Sequence, residues 1–265
     1  MDFGGKTIWI TGASSGIGKA LAMEFFRRGA SVILSARTRD KLQELKDSLD
    51  RTAPGRCHVV PFDVTDPSSV ERAGAAVKSL TPRLDVLVNN AGVSQRSTAL
   101  ETSPDVERAL FEVNFFGAVA VTRSVLPWMI EGGGGRIAVI GSMAGKFGFR
   151  MRSTYCASKH ALQGYFESLR AELRGTGVGV TLVCPGRINT DISIHSMRGD
   201  GSTYGRMDAW QDRGMPVERC AMIIAEAVRR GRREILMGAP ERLLYFFRRF
   251  CPPLFYRIVE RISPT

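Results

Sequence analysis

At 265 residues the chain has room for one large domain, or for two small ones with poor cores. Hydrophobic residues at 44% and charged residues at 24% fit a globular protein, and no uninterrupted apolar run approaches the about 18 residues of a spanning helix. The net charge of +11 leans toward the C-terminus, where residues 228–265 hold nine arginines against three glutamates, so nucleic acid, a membrane surface and an anionic ligand all remain open as partners.

The start, MDFGGKTIWITG, shows no basic segment leading into an apolar one, so neither a signal peptide nor an N-terminal anchor is expected. Strand-like and helix-like segments then alternate. KTIWIT (6–11) is a short buried strand, followed by glycines and a helix with Ile17, Leu21 and Phe25 on one stripe, stopped by Gly29. SVILSA (31–36) precedes a polar helix ending near Pro54, and CHVVPF (57–62) precedes a helix opened by Asp66-Pro67. DVLVNN (85–90), RIAVIG (136–141), VGVTLVC (178–184) and EILMG (234–238) read as further strands, separated by helices near 103–130, 154–174 and 217–230. GGGG at 132–135 reads as a flexible turn. Near-continuous apolar strands with helices between them indicate a parallel sheet covered on both faces. Cys57, Cys156, Cys184, Cys220 and Cys251 form no CxxC pair and read as reduced thiols of a cytosolic chain. His58, His160 and His195 have no ligand spacing, so no metal is expected.

TGASSGIG (11–18) lies between the first strand and the first helix. Glycines at 12, 16 and 18 allow a sharp turn and a close approach of a pyrophosphate to a helix N-terminus, whose free N–H groups favour anions. Where an NAD site would carry an acid after the second strand, Ala36 is followed by Arg37, with Arg39 and Lys41 nearby. A guanidinium grips a 2′-phosphate with two hydrogen bonds, which favours NADP(H). In YCASK (155–159), Tyr155 and Lys159 are one helical turn apart, a pair that means little by itself.

Taken together, TGASSGIG, Asp63-Val64, NNAG (89–92), Asn114, Ser142, YCASK and PGRINT (185–190) resemble the short-chain dehydrogenase/reductase family in order and spacing over roughly residues 5–240. The resemblance implies an α/β fold: one doubly wound Rossmann domain (1–240) with a seven-stranded parallel sheet in the order 3-2-1-4-5-6-7. It implies hydride transfer between NADP(H) and a carbonyl carbon, with Tyr155 as acid/base, Lys159 lowering its pKa and touching the nicotinamide ribose, Ser142 bonding the substrate oxygen, and Asn114 holding a relay water. It assigns Gly12, Ser14, Ser15, Gly16, Ile17 and Gly18 to the phosphates, Arg37 to the 2′-phosphate, and Asp63 and Val64 to the adenine. Asn90, Ala91 and Gly92 line the adenosine side, and Pro185, Gly186, Ile188 and Thr190 flank the nicotinamide. Homodimers or tetramers through the helices near 103–130 and 154–174 are implied as well. An epimerase or dehydratase with the same Tyr–Lys pair, or a non-catalytic NADP sensor, are the other readings. The first usually has GxxGxxG, and the second would be expected to lack Ser142, Tyr155 or Lys159.

Residues 191–216, with Met197, Tyr204, Met207, Trp210 and Met215, are expected to form a substrate lid. In the extension 241–265, Leu243, Phe247 and Phe250 form one stripe; Leu254, Phe255, Ile258, Val259 and Ile262 form another beyond Pro252-Pro253. Such amphipathic helices either rest on a membrane or pack on protein, and their interleaved apolar residues argue against nucleic acid. The tail and lid are similar to those of membrane-associated reductases of lipid, retinoid or steroid ketones. The expectation is therefore a cytoplasmic enzyme of a small apolar carbonyl substrate, with peripheral membrane contact left open.

Overall fold

The computed structural model describes residues 1–261; Ile262, placed in the tail's apolar stripe, lies outside them. Seven strands pair in parallel in the order β3-β2-β1-β4-β5-β6-β7, the order expected. They are β1 Thr7–Thr11, β2 Ser31–Ser35, β3 Cys57–Val59, β4 Val86–Asn89, β5 Gly135–Ile140, β6 Val178–Cys184 and β7 Glu234–Leu236. The third is shorter than the apolar run CHVVPF. Val60 and Phe62 still donate to Leu34 and Ala36 of the neighbouring chain segment, while Pro61 between them has no N–H, which is tolerated because β3 is an edge strand.

Alternation along β1 separates two cores. Ile8 and Ile10 join Leu21 and Phe25 of α1 (Gly16–Arg27), Leu42 of α2 (Arg39–Asp50) and Ile224 of α8 (Val217–Arg229). Trp9, between them, joins Val77 of α3 (Pro67–Leu80), Val121 and Val125 of α5 (Gly117–Glu131) and Phe166 of α6 (Ser153–Glu172). The Asp66 carboxylate caps α3 by accepting from Ser68 N at 2.9 Å, with Pro67 at the first helical position.

The helix expected near 103–130 is three pieces: α4 (Pro104–Phe111), a five-residue π turn (Glu112–Phe116) and α5. The combined run of 28 residues contains an 18-residue stretch with the mean hydropathy of a membrane span, 1.4, which the absence of an uninterrupted apolar stretch did not foretell. Its Val121, Val125 and Met129 pack on the sheet instead. The glycine run at 132–135 is a tight contact rather than a loose turn. A Cβ on Gly134 (φ 105°) would lie 2.4 Å from the Gly177 carbonyl oxygen.

Segment 191–216 folds over the carboxyl ends of the strands as turns plus a single short helix, α7 (Ala209–Asp212). The tail forms α9 (Ala239–Phe250) and α10 (Pro252–Val259), broken at the two prolines. Its faces divide differently from the expected stripes. Leu244, Phe247, Phe255 and Val259 pack against Phe147 and Phe149, whereas Leu243, Phe246, Phe250, Leu254 and Tyr256 are exposed. Phe247 therefore parts from Leu243 and Phe250, because the packed side of α9 is centred on Leu244 and Phe247, three positions apart.

Candidate active site

The carboxyl ends of β1, β4, β5 and β6 open into one cleft of about 460 Å³. At its centre the loop after β1 is clamped by the loop after β4. Asn90 Nδ2 donates to the carbonyls of Thr11 and Gly12, both at 3.0 Å, and Thr11 Oγ1 accepts from the N–H groups of Asn90 and Ala91 at 3.0 and 3.1 Å. The clamp requires glycine twice. Gly12 has φ 65°, and a Cβ on Gly18 would lie 2.2 Å from the Gly12 oxygen. Ser15 precedes α1 in an extended conformation without a side-chain cap, and no acid occupies the first turn. The N-terminal N–H groups of α1 are thus presented beside Ser14, Ser15, Gly16 and Ile17, which all line the cleft.

Arg37 and Lys41 line the far end, with Asp63 and Val64 opposite. The Asp63 Oδ1 atom accepts from the N–H and hydroxyl of Thr65 at 2.9 and 2.8 Å. Asn90, Ala91, Gly92, Pro185, Gly186, Ile188 and Thr190 complete the walls. Gly18 and Asn114 stand behind this lining rather than in it. Gly18 is packed on Gly12, and Asn114 is 1% exposed within the π turn. The Asn114 amide accepts from Val93 N at 2.8 Å and donates to Val93 O and Ser158 Oγ at 3.0 and 3.1 Å.

On the floor, Ser142 follows β5, and Tyr155 and Lys159 occupy the first turns of α6. Ser142 Oγ accepts from Ala144 N at 3.0 Å, which leaves its hydroxyl proton for another acceptor. Lys159 Nζ donates to the Ile140 carbonyl at 3.0 Å and lies 6.0 Å from the centroid of the Tyr155 ring. Burial draws the Lys159 ammonium down to about 8. Burial likewise pushes the Tyr155 phenol above its ordinary value, opposed by a hydrogen bond with Ser142 and by the charges of Arg152 and Arg96.

Those two arginines, with Gln95 and Asp208, are what the sequence reading missed. Gln95 Oε1 accepts from the N–H groups of Thr154 and Tyr155 at 3.0 and 3.1 Å, doing for α6 what its N-cap residue, Arg152, does not. Arg96 is held by Asp208 from the 191–216 segment, 112 residues away. Position 152, three before the tyrosine, was a local clue; no spacing rule links 96 to 208.

The strand–turn–helix clamp, the uncapped N-terminus of α1 and a cleft that continues to Tyr155 and Lys159 fit a dinucleotide. Residues 6–200 match the short chain dehydrogenase family. The chain belongs to this family. Among its short-chain dehydrogenase relatives, a "Dehydrogenase/reductase SDR family protein 7-like" of Anopheles gambiae is 40% identical over 263 residues, 97% of this chain and 83% of the relative. A short-chain dehydrogenase/reductase of Burkholderia phymatum in complex with NAD superposes with a TM-score of 0.83 at 26% identity, covering 100% of this chain and 98% of the other. Another from Burkholderia cenocepacia J2315, in complex with NADP, gives 0.82 at 26% identity, with 100% of both chains covered. The protein is thus an oxidoreductase of the short-chain dehydrogenase type with a single Rossmann domain, and members of similar fold hold either nucleotide.

Proposed function

We propose that this family member is an NADP(H)-dependent reductase of ketones or aldehydes, its preferred substrates apolar or lipid-like. The observation that carries the reading is the trio of half-buried Ser142 and buried Tyr155 and Lys159 on the floor of a cleft whose far end is lined by Arg37 and Lys41. The nicotinamide, when bound, supplies the hydride to the carbonyl carbon. Ser142 donates its hydroxyl proton in a hydrogen bond to the carbonyl oxygen as negative charge grows there. Tyr155, held protonated by burial, passes its phenolic proton to that oxygen, and the Lys159 ammonium stabilises the phenolate that remains. Gly12, Ser14, Ser15, Gly16 and Ile17 receive the pyrophosphate, Asp63 and Val64 the adenine, and Pro185, Gly186, Ile188 and Thr190 the nicotinamide end. Asn90 and Gly18 act through the clamp. With its side-chain amide engaged on all sides, Asn114 would hold a relay water by its backbone carbonyl.

In this reading Arg37 and Lys41 favour the 2′-phosphate, since Ala36, directly after β2, offers no carboxylate to a ribose hydroxyl. The protein works in the cytoplasm as a homodimer or homotetramer through α4, α5 and α6. It touches membrane through the outer faces of α9 and α10, where Leu243, Phe246 and Phe250 stand exposed among Arg242, Arg248 and Arg249. The test is NADPH oxidation over ketones of increasing chain length, with Tyr155→Phe as control. Turnover should fall at least about a hundredfold in the variant while NADPH binding persists, the scale of a lost general acid. Near wild-type turnover in Tyr155→Phe would rule out this assignment.

A further inference from the structure

The turn that follows β6 meets the C-terminal extension with bare backbone. A Cβ on Gly186 would lie 2.7 Å from the carboxyl carbon of Glu241 and 2.9 Å from the Met237 carbonyl oxygen. Met237 N in turn donates to the Cys184 carbonyl at 3.0 Å, which pins the start of the extension to the end of β6. Glu241 stands in the first turn of α9, where an acid complements the helix dipole even from a solvated position. Its carboxylate lies inward instead. The side chain is 7% exposed, and the cation facing it is Arg187, Nε to Oε1 3.7 Å. No other ion pair reaches that carboxylate among the described residues. A charge so poorly solvated is tolerated when it is paired, so the buried acid ties the extension to Arg187.

On its other side Arg187 meets the 191–216 segment. Its guanidinium carbon lies 4.9 Å from the centroid of the Trp210 ring in α7. Trp210 is half exposed, so the cation stacked on it, more than burial, holds the indole. The Arg187 carbonyl accepts from Met215 N at 2.9 Å. Asn189 Nδ2 donates to the Asp212 carbonyl at 2.7 Å, and Gln211 Nε2 donates to the Ile188 carbonyl. One short turn therefore has the extension on one side and the segment over the cleft on the other. Gly186, Arg187, Trp210 and Glu241 together wall a recess of about 60 Å³ that also reaches Ser142.

We propose that Glu241 is a positioning residue for the nicotinamide end of the cofactor. It acts through Arg187 and Gly186: the carboxylate fixes the guanidinium and abuts the glycine, and the turn is thereby held where it flanks the ring. The same guanidinium carries the hold on to Trp210, so one ion pair sets both the turn and the segment above it. The inference rests on the reading of Pro185, Gly186, Ile188 and Thr190 as nicotinamide contacts. It adds a residue from beyond the family match, which ends at residue 200. The adenosine half of the cleft is lined by other residues, Arg37, Lys41 and Asp63, and does not depend on this pair.

The experiment titrates the full-length protein with NADPH and with 2′-phospho-ADP-ribose, the same nucleotide without its nicotinamide ring. Glu241→Gln is nearly isosteric, so it keeps the packing on Gly186 and removes the charge; Arg187→Gln removes the pair from the other side. The wild type should prefer NADPH by about tenfold, and each variant should lose most of that preference, with less than about a twofold change for the ringless nucleotide. In each variant kcat should also fall, with the KM for ketone nearly unchanged. The double variant should be no worse than either single one, because a single interaction is lost. Glu241→Asp, which keeps the charge, should recover part of the preference. Equal weakening of both nucleotides, additive losses in the double variant, or an unchanged preference would overturn the proposal. Should Glu241→Gln fail to fold, Arg187→Gln decides by the same two titrations. A wild type that binds both nucleotides alike would instead remove the nicotinamide reading of the turn, and the proposal with it.

Discussion

Gln95 and Tyr155, 60 positions apart, share a hydrogen bond: the Gln95 Oε1 atom accepts from the tyrosine backbone N–H at 3.1 Å, and from that of Thr154 at 3.0 Å. The amide of Gln95 is fully buried, and its Nε2 is fixed in turn by Ser97 and Thr102 at 3.2 and 2.8 Å. One side chain therefore closes the first turn of α6 and fixes the height of the phenol in the cleft. Gln95→Ala leaves two buried N–H donors unpaired. Its expected effect is a loss of about 1–3 kcal/mol in stability, with a fall in kcat larger than any rise in the KM for cofactor. Urea unfolding and steady-state kinetics measure both; an unchanged midpoint would show that the turn holds itself.

Arg37 is exposed at the adenosine end of the cleft, directly after Ala36, and both line it. Arg37→Asp sets a carboxylate against a 2′-phosphate and takes away its cation. NADPH should bind ten- to a hundredfold more weakly, on the order of 1.4–3 kcal/mol, with little change for NADH. Fluorescence titration with both nucleotides is the measurement. Parallel losses would place the arginine in solvent.

Lys159 carries a pH signature of its own. Its folded-state value of about 8 lies below the ordinary 10.5. Below pH 8 both folded and unfolded chains hold the proton, and the burial penalty is present in full. From 8 to 10.5 the unfolded chain holds more protons, so stability rises with pH. Relative to Lys159→Met, the cofactor-free wild type should gain up to about 3 kcal/mol across that window. Parallel pH profiles for the two proteins would refute the buried ammonium.

The tail calls for substitutions on one face only, because its inner face supports Phe147 and Phe149. Leu243→Ser, Phe246→Ser and Phe250→Ser combined should abolish flotation with anionic vesicles and reduce turnover on a vesicle-borne ketone, while a soluble ketone is reduced at the wild-type rate. Wild-type flotation should weaken with salt, since surface attraction is screened within about 8–10 Å at 0.1–0.15 M. Flotation that survives the triple change would assign this face to something other than lipid.

The strands and the lining of the cleft were legible because their signals are local. KTIWIT is a short apolar run ahead of glycines, and TGASSGIG and YCASK each span no more than about two turns of chain. The π turn was not, since EVNFF has an ordinary helical composition and shows its irregularity only where the Asn114 amide is drawn to Val93. Arg96 and Asp208 find each other through the fold alone. The tail's two faces were misdivided because α9 carries large apolar residues on both sides, so periodicity could not say which side meets protein.

Phe255 is 3% exposed, with its ring 5.4 Å from that of Phe147, in the segment that follows Ser142. The wall beside the serine is thus finished by a helix that follows every strand of the sheet in chain order. The segment after Ser142 keeps an uncovered aromatic pair, Phe147 and Phe149, until the tail helices pack on it. Loss of α10 alone would keep every residue of the trio in the chain and strip away the packing that surrounds it.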